Sequence, residues 1–156
     1  MSMDAEALIE ALTSQLADVK PKASWGETSL FYNPNNQLPN GVYFCTIKQQ
    51  DSVNDSSSSL DRAGVYRVAI GLKPQTYADL FGPKPARPAK GDIIATGHDF
   101  TALDTLMPHP IYGWMSWAQI LAPTTETFDQ ILPHIVEAHA CAVVKFRKKI
   151  ATLQQQ

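Results

Sequence analysis

Apolar and polar residues recur with two different periods along this chain, and each change of period marks an element. Leu8, Ile9, Leu12 and Leu16 return at steps of three and four, which predicts an amphipathic helix over residues 4–19, ended by Pro21. Residues 25–32 and 41–48, the latter with Val42, Tyr43, Phe44 and Ile47, flank the turn signal Asn33-Pro34-Asn35-Asn36 and read as an antiparallel pair of strands. Over 65–72 the period is two, with Tyr66, Val68, Ile70 and Leu72 on one face and Arg67, Ala69 and Gly71 on the other. Pro74 opens and Gly82 closes a short helix over 76–81. A last strand over about 114–121 leads through Pro123, with Thr124 or Thr125 as cap, into a terminal helix. Its stripe is Phe128, Ile131, Leu132, Ile135, His139, Ala142, Val143, Phe146 and Ile150, and Pro133 within it predicts a kink or a break.

Two stretches follow neither period. Residues 49–59 carry Asp51, Asn54, Asp55 and four consecutive serines, and Pro83, Pro85 and Pro88 alternate with Lys84, Arg87 and Lys90 around 83–92. Both are expected to be mobile surface loops. The element order predicts one domain over 1–156 of the α+β class. It would hold an antiparallel sheet of about four to five strands, with an N-terminal helix, a short middle helix and a long C-terminal helix on one face.

Composition narrows the class of partner. A chain of 156 residues buries roughly two-thirds of its unfolded surface without staples. With 13 basic against 15 acidic residues and a net charge of −2, it lacks the basic excess that nucleic-acid binders use for sequence-independent affinity. No run approaches the roughly 18 apolar residues of a membrane span. Asp4, Glu6 and Glu10 depart from the layout of a signal peptide, so the expected location is the cytoplasm. Cys45 and Cys141 are too far apart for a zinc or redox motif and are expected as reduced core thiols.

The stretches Leu60-Asp61-Arg62-Ala63-Gly64-Val65-Tyr66-Arg67, Asp99-Phe100-Thr101-Ala102-Leu103-Asp104 and Pro108-His109-Pro110-Ile111-Tyr112-Gly113-Trp114 resemble a family of small bacterial proteins known as a domain of unknown function. That resemblance covers most of the chain and implies no reaction, ligand or catalytic residue. The second half is similar, in its order of elements, to the MmcQ/YjbR-like fold. Some proteins of that wider group have been suggested to bind DNA, an implication that the charge balance of this chain does not support.

Candidate chemistry concentrates in residues 97–117, which hold two of the four histidines and two of the three tryptophans. His98, Asp99, Asp104 and His109 are suitable metal-ligand types, but their spacing matches no metal signature. A simpler role is available to each: Asp99 or Thr101 capping a turn, and His109 hydrogen-bonded to backbone at the entrance of the last strand. Alternatively His109, Tyr112 and Trp114 contact a small ligand, since pockets combine aromatic walls with few polar groups.

Asp61, Arg62 and Arg67 form a second cluster, either a structural ion pair of one arginine with an acidic neighbour or an anion site. His139 reads as a core histidine and His134 as more exposed. The basic run 145–149 reads as a solvated helix end. No Gly-x-Ser-x-Gly elbow, phosphate-cradling glycine loop or His-Glu-x-x-His helix is present, and no cofactor is implied.

The expected function is a small noncatalytic binding or interaction domain, its pocket near 97–117 and its partner a small molecule or a protein. An enzyme using His109 as acid or base, with Arg62 or Arg67 holding an anionic substrate, is the alternative. DNA binding through 84–90 and 145–149 is a third reading. An exposed sheet edge also leaves room for pairing with a second copy.

Overall fold

The computed structural model describes residues 3–155. Three helices and one antiparallel sheet of six strands give the α+β class that the periodicity predicts, with more strands than the four to five expected. Helix α1 is Ala5–Gln15, and the Asp4 side chain accepts a hydrogen bond from the Ala7 amide (2.7 Å) at its start. Asp4→Ala should cost about 1 kcal/mol, the usual loss when a cap is removed. Urea unfolding of the variant checks this, and an unchanged midpoint would show that the cap contributes nothing.

Strands β1 (Val19–Ser24) and β2 (Glu27–Tyr32) form a hairpin whose tip is Trp25-Gly26. Both tip residues have positive φ, 55° and 78°, as a tight two-residue hairpin turn requires. Strand β1 is not among the elements that the periodicity predicts. Lys20, Pro21 and Lys22 look like the end of a helix, but a polar, proline-bearing segment is tolerated at a sheet edge, where one side of the backbone needs no partner.

Strand β3 (Val42–Lys48) pairs with β2, and β4 (Arg67–Gly71) pairs with β3. Helix α2 (Pro74–Phe81) follows, with Gly82 beyond its end at φ 82°. Then come the two-residue strand β5 (Met107–Pro108), β6 (Trp117–Leu121) and helix α3 (Thr125–Gln154). The strand order is β1-β2-β3-β4-β6-β5. Residues 114–116, expected in the last strand, belong instead to a 3-10 turn, Gly113–Met115, and to Ser116 in the left-handed region (φ 71°). Pro133 does not break α3, which runs unbroken over 30 residues with Thr124 as its cap.

The main core lies between the sheet and the helices. Leu30, Cys45, Ile47, Val68, Ile70, Ala118 and Ile120 project from the strands to meet Leu8 and Leu12 of α1, Tyr77 of α2, and Phe128, Ile131, Ile135 and Phe146 of α3. Thr76 of α2 also donates to Glu137 of α3 (2.6 Å). His139, expected in the core, is partly buried: its Nε2 meets the Ala17 carbonyl (2.8 Å) and its ring packs edge-on against Tyr32 and Phe44. Cys45 is fully buried, which pushes its thiol up to about 12, whereas Cys141 is only partly covered. No helix among the described residues is long and apolar enough to cross a membrane.

The other face of the sheet is covered by chain without regular structure. Residues 49–64 hold no helix or strand beyond an isolated Ser52–Asp55 bridge, yet Ser58 and Leu60 within them are buried. Residues 82–106 fold back so that Ile94 and Phe100 join Met107 of β5 in a small core of their own. The Arg62 guanidinium ties the two segments together by donating to Ser58, Ser59 and Thr101 carbonyls.

Candidate functional site: a cleft over a buried ion cluster

The alternation along the strands decides what the non-helical face presents. Lys48 and Thr46 of β3 stand in register with Arg67 and Ala69 of β4, and Arg67 and Ala69 with Leu121 and Gln119 of β6. Arg67 is 1% exposed, Gln119 0% and Lys48 7%. Burial of such groups is tolerated only if they are paired and hydrogen-bonded. The partner comes from the serine-rich loop: Asp55 accepts two hydrogen bonds from Arg67, Nη1 to Oδ2 at 2.5 Å and Nη2 to Oδ1 at 2.8 Å. Lys48 Nζ donates to the same Oδ2 (2.9 Å) and to Ser52 Oγ (2.7 Å). Arg67 Nε donates to Gln119 Oε1 (2.7 Å), and Nη2 also reaches Ser58 Oγ (3.1 Å). Burial alone would raise the Asp55 carboxyl, but the hydrogen bonds and charge of Arg67, with Lys48, outweigh it and hold the group well below the usual carboxylate range.

His109 enters this region from the end of β5. Its amide donates to the Trp117 carbonyl (3.0 Å), and its ring Nδ1 accepts from two backbone amides, Ile111 (3.1 Å) and Tyr112 (3.2 Å). An acceptor at Nδ1 places the proton of the neutral ring on Nε2. The ring is buried, and burial, followed by the positive charge of Arg67, lowers its basicity well below that of an ordinary histidine. Asp55 opposes that shift and Lys48 adds to it. The imidazole is therefore neutral at physiological pH. Its Nε2–H has no protein acceptor among the described residues, and the residue lines the cleft.

The cleft has a volume of about 680 Å³. Ser29, Thr46, Ala69, Lys48 and Asp55 form its base, and His109 lines it as well. Tyr43, Tyr112, Trp114 and Trp117 supply aromatic walls, and the Arg87 guanidinium from the proline-rich loop lies 4.6 Å from the centre of the Trp114 ring. Tyr43 reaches this face because of a bulge. Pairing shifts between Leu30 and Phe31, so that Leu30 opposes Cys45 while Phe31 opposes Tyr43. Phe44, the extra residue, turns into the helix-side core, and Tyr43 is aimed at Trp117, with ring centres 5.7 Å apart.

His109, Tyr112 and Trp114 thus share one cleft. Arg67 lies beneath it with its guanidinium bound to Asp55, the acidic neighbour of the ion-pair reading. Asp61 and Arg62 do not line the cleft: the Asp61 carboxylate accepts the Asp51 amide (3.0 Å), and Arg62 holds loop carbonyls. Nor are the metal-ligand types gathered. His98 meets Thr96 Oγ1, Asp99 accepts from the Thr101 amide and hydroxyl, and Asp104 accepts the Thr124 amide. Among the described residues, no three His, Cys, Asp or Glu side chains converge as a metal set.

Lys48, Asp55, Gln119, Tyr43 and Trp117 were not singled out from sequence. Lys48 and Thr46 could have been, because they alternate with Cys45 and Ile47 at the end of a strand. Asp55 lies where no periodicity operates.

No curated protein and no solved structure matches the chain. The profile of one family, described as a family of unknown function, matches residues 3–151, nearly the whole chain. The chain belongs to that family, DUF6194.

Proposed function

We propose that this domain is a noncatalytic binding module that takes a small molecule in the cleft beside residues 97–117 and acts in the cytoplasm. One observation carries the reading: a cleft with several partly exposed aromatic rings closes over a few fixed polar groups, the usual make-up of a ligand site. Its polar groups are held before any ligand arrives, Lys48 by Asp55 and Ser52, and His109 by two backbone amides. The enzyme alternative is weaker, because an imidazole whose Nδ1 is occupied and whose Nε2 carries the proton is a hydrogen-bond donor and not a general base. DNA binding is weaker too. Arg87 and Lys90 line the cleft, whereas 145–149 lie on α3, across the sheet. The kinship of the second half with the MmcQ/YjbR-like fold is also proposed, supported by the order β4, α2, β6, α3, into which the two-residue β5 is inserted before β6.

A thermal-shift screen of metabolites tests the binding reading. A ligand at 100 times its Kd stabilises by about 2.7 kcal/mol, and at about 2–4 °C per kcal/mol for a chain of this size the melting point should rise by roughly 5–10 °C. The shift should disappear in Trp117→Ala. A screen without a hit, or shifts that Trp117→Ala leaves intact, would remove the proposal.

A further inference from the structure

We infer that the cleft selects an organic monoanion, a carboxylate on a flat apolar body, received by Lys48 Nζ and His109 Nε2–H with the body against Tyr43 and Trp117. The inference rests on the binding reading above and adds the charge of the ligand. Its first ground is the count of charges. Lys48 and Arg67 are both at least nine-tenths buried and share a single carboxylate, Asp55. With His109 neutral, the buried set of Lys48, Arg67 and Asp55 keeps one unit of positive charge that no further carboxylate among the described residues pairs with. The more exposed charged residues of the lining are Arg87 and Lys90 against Glu27 and Asp92, which balance one another. Glu27 stands opposite Lys48 in the β2–β3 register, yet neither it nor Asp92 forms an ion pair among the described residues.

The second ground is the count of donors. An ammonium has three N–H groups, and Lys48 spends two, on Ser52 and Asp55. The third and the Nε2–H of His109 belong to residues that line the same cleft. Both are donors, and neither residue offers an acceptor there. A carboxylate, which only accepts, matches such a pair, and it would remove the cost of leaving a buried cation without full compensation. The third ground is shape. Ala69 and Gly71 present little or no side chain on this face of β4, and the indole of Trp117 lies over Gly71, about 3.1 Å from where a Cβ would stand. Together with the Tyr43 ring, it offers a flat ligand an apolar surface next to the donors.

The test uses the full chain and three probes of equal shape: benzoate, neutral benzamide and cationic benzamidinium. Binding is measured by calorimetric titration and placed by the Trp117 indole and His109 ring signals in NMR. Benzoate should bind at least about 10-fold more tightly than benzamide, with benzamidinium weakest, and both reporter signals should move. Lys48→Met should abolish the preference while leaving Arg67 and Asp55 as a balanced pair. Glu27→Gln, which removes no ion pair among the described residues, should keep or strengthen it, so the inference stays testable if the lysine variant folds poorly. Equal or tighter binding of benzamide or benzamidinium at the same signals would overturn the anion assignment and leave the cleft a binding site. Absence of benzoate binding would also overturn it, and the metabolite screen would then decide the broader reading separately.

Discussion

Replacing Asp55 with alanine is expected to destabilise the domain by about 3–5 kcal/mol, the usual consequence of removing one partner from a buried ion pair. The side chain is 12% exposed and, among the described residues, is the one carboxylate in contact with both Lys48 and Arg67. Without it, two cations remain in the sheet face with, among the described residues, only Ser52, Ser58 and Gln119 oxygens as partners. At about 2–4 °C per kcal/mol, the melting point should fall by roughly 6–20 °C. The cost lies in the orphaned charges more than in a lost attraction. Accordingly, Arg67→Met and Lys48→Met introduced together with Asp55→Ala should restore much of the loss, as apolar replacement of a whole buried set often does. Calorimetric melting of the single and triple variants decides the point. A single variant within about 1 kcal/mol of the parent would mean that the cluster is hydrated and contributes little.

The second large effect is a loss of stability in acid that is specific to His109. Its folded-state basicity is lowered, so the sign is fixed: the unfolded chain takes up a proton below about pH 6.5 that the folded chain refuses. Stability from this group is therefore present above about pH 6.5 and declines as pH falls, by about 1.4 kcal/mol per pH unit. Between pH 7.5 and pH 5.0 the parent should lose more stability than His109→Gln, which has nothing to titrate there. Asp55, held below the ordinary carboxylate range, acts in the same direction only below about pH 4, so the two contributions separate along the pH axis. Urea unfolding of both proteins at a series of pH values measures the difference. Parallel stability profiles would show that the imidazole is not held neutral.

The two faces of the sheet were not equally legible. The face toward the helices follows repetition: Tyr66, Val68 and Ile70 alternate, and the α3 stripe returns every three or four residues, so composition and period suffice to place them in the core. Where the reading failed there, local rules met a tertiary exception. Pro133 lies in the third turn of α3 without ending it, and Pro21 sits in an edge strand, not at a helix stop. The other face has no such repetition. Arg67 was visible as a polar residue on an alternating strand, but its partner lies 12 residues earlier in a loop, and Gln119 lies 52 residues later in another strand.

The sequence by itself determined the α+β class, the helices at the two ends, the buried stripe of each regular element, and the concentration of His109, Tyr112 and Trp114 near the last strand. Each of these rests on interactions between residues close in the chain or on burial, which is proportional to apolar area and indifferent to the identity of the partner. Tertiary structure alone decided that these three side chains open on a cleft, that Lys48 and Asp55 belong to it, and that His109 is a neutral donor. Hydrogen bonds and ion pairs depend on distance and direction to a particular partner. That geometry exists only once register, a bulge in β3 and two irregular loops have brought distant residues together.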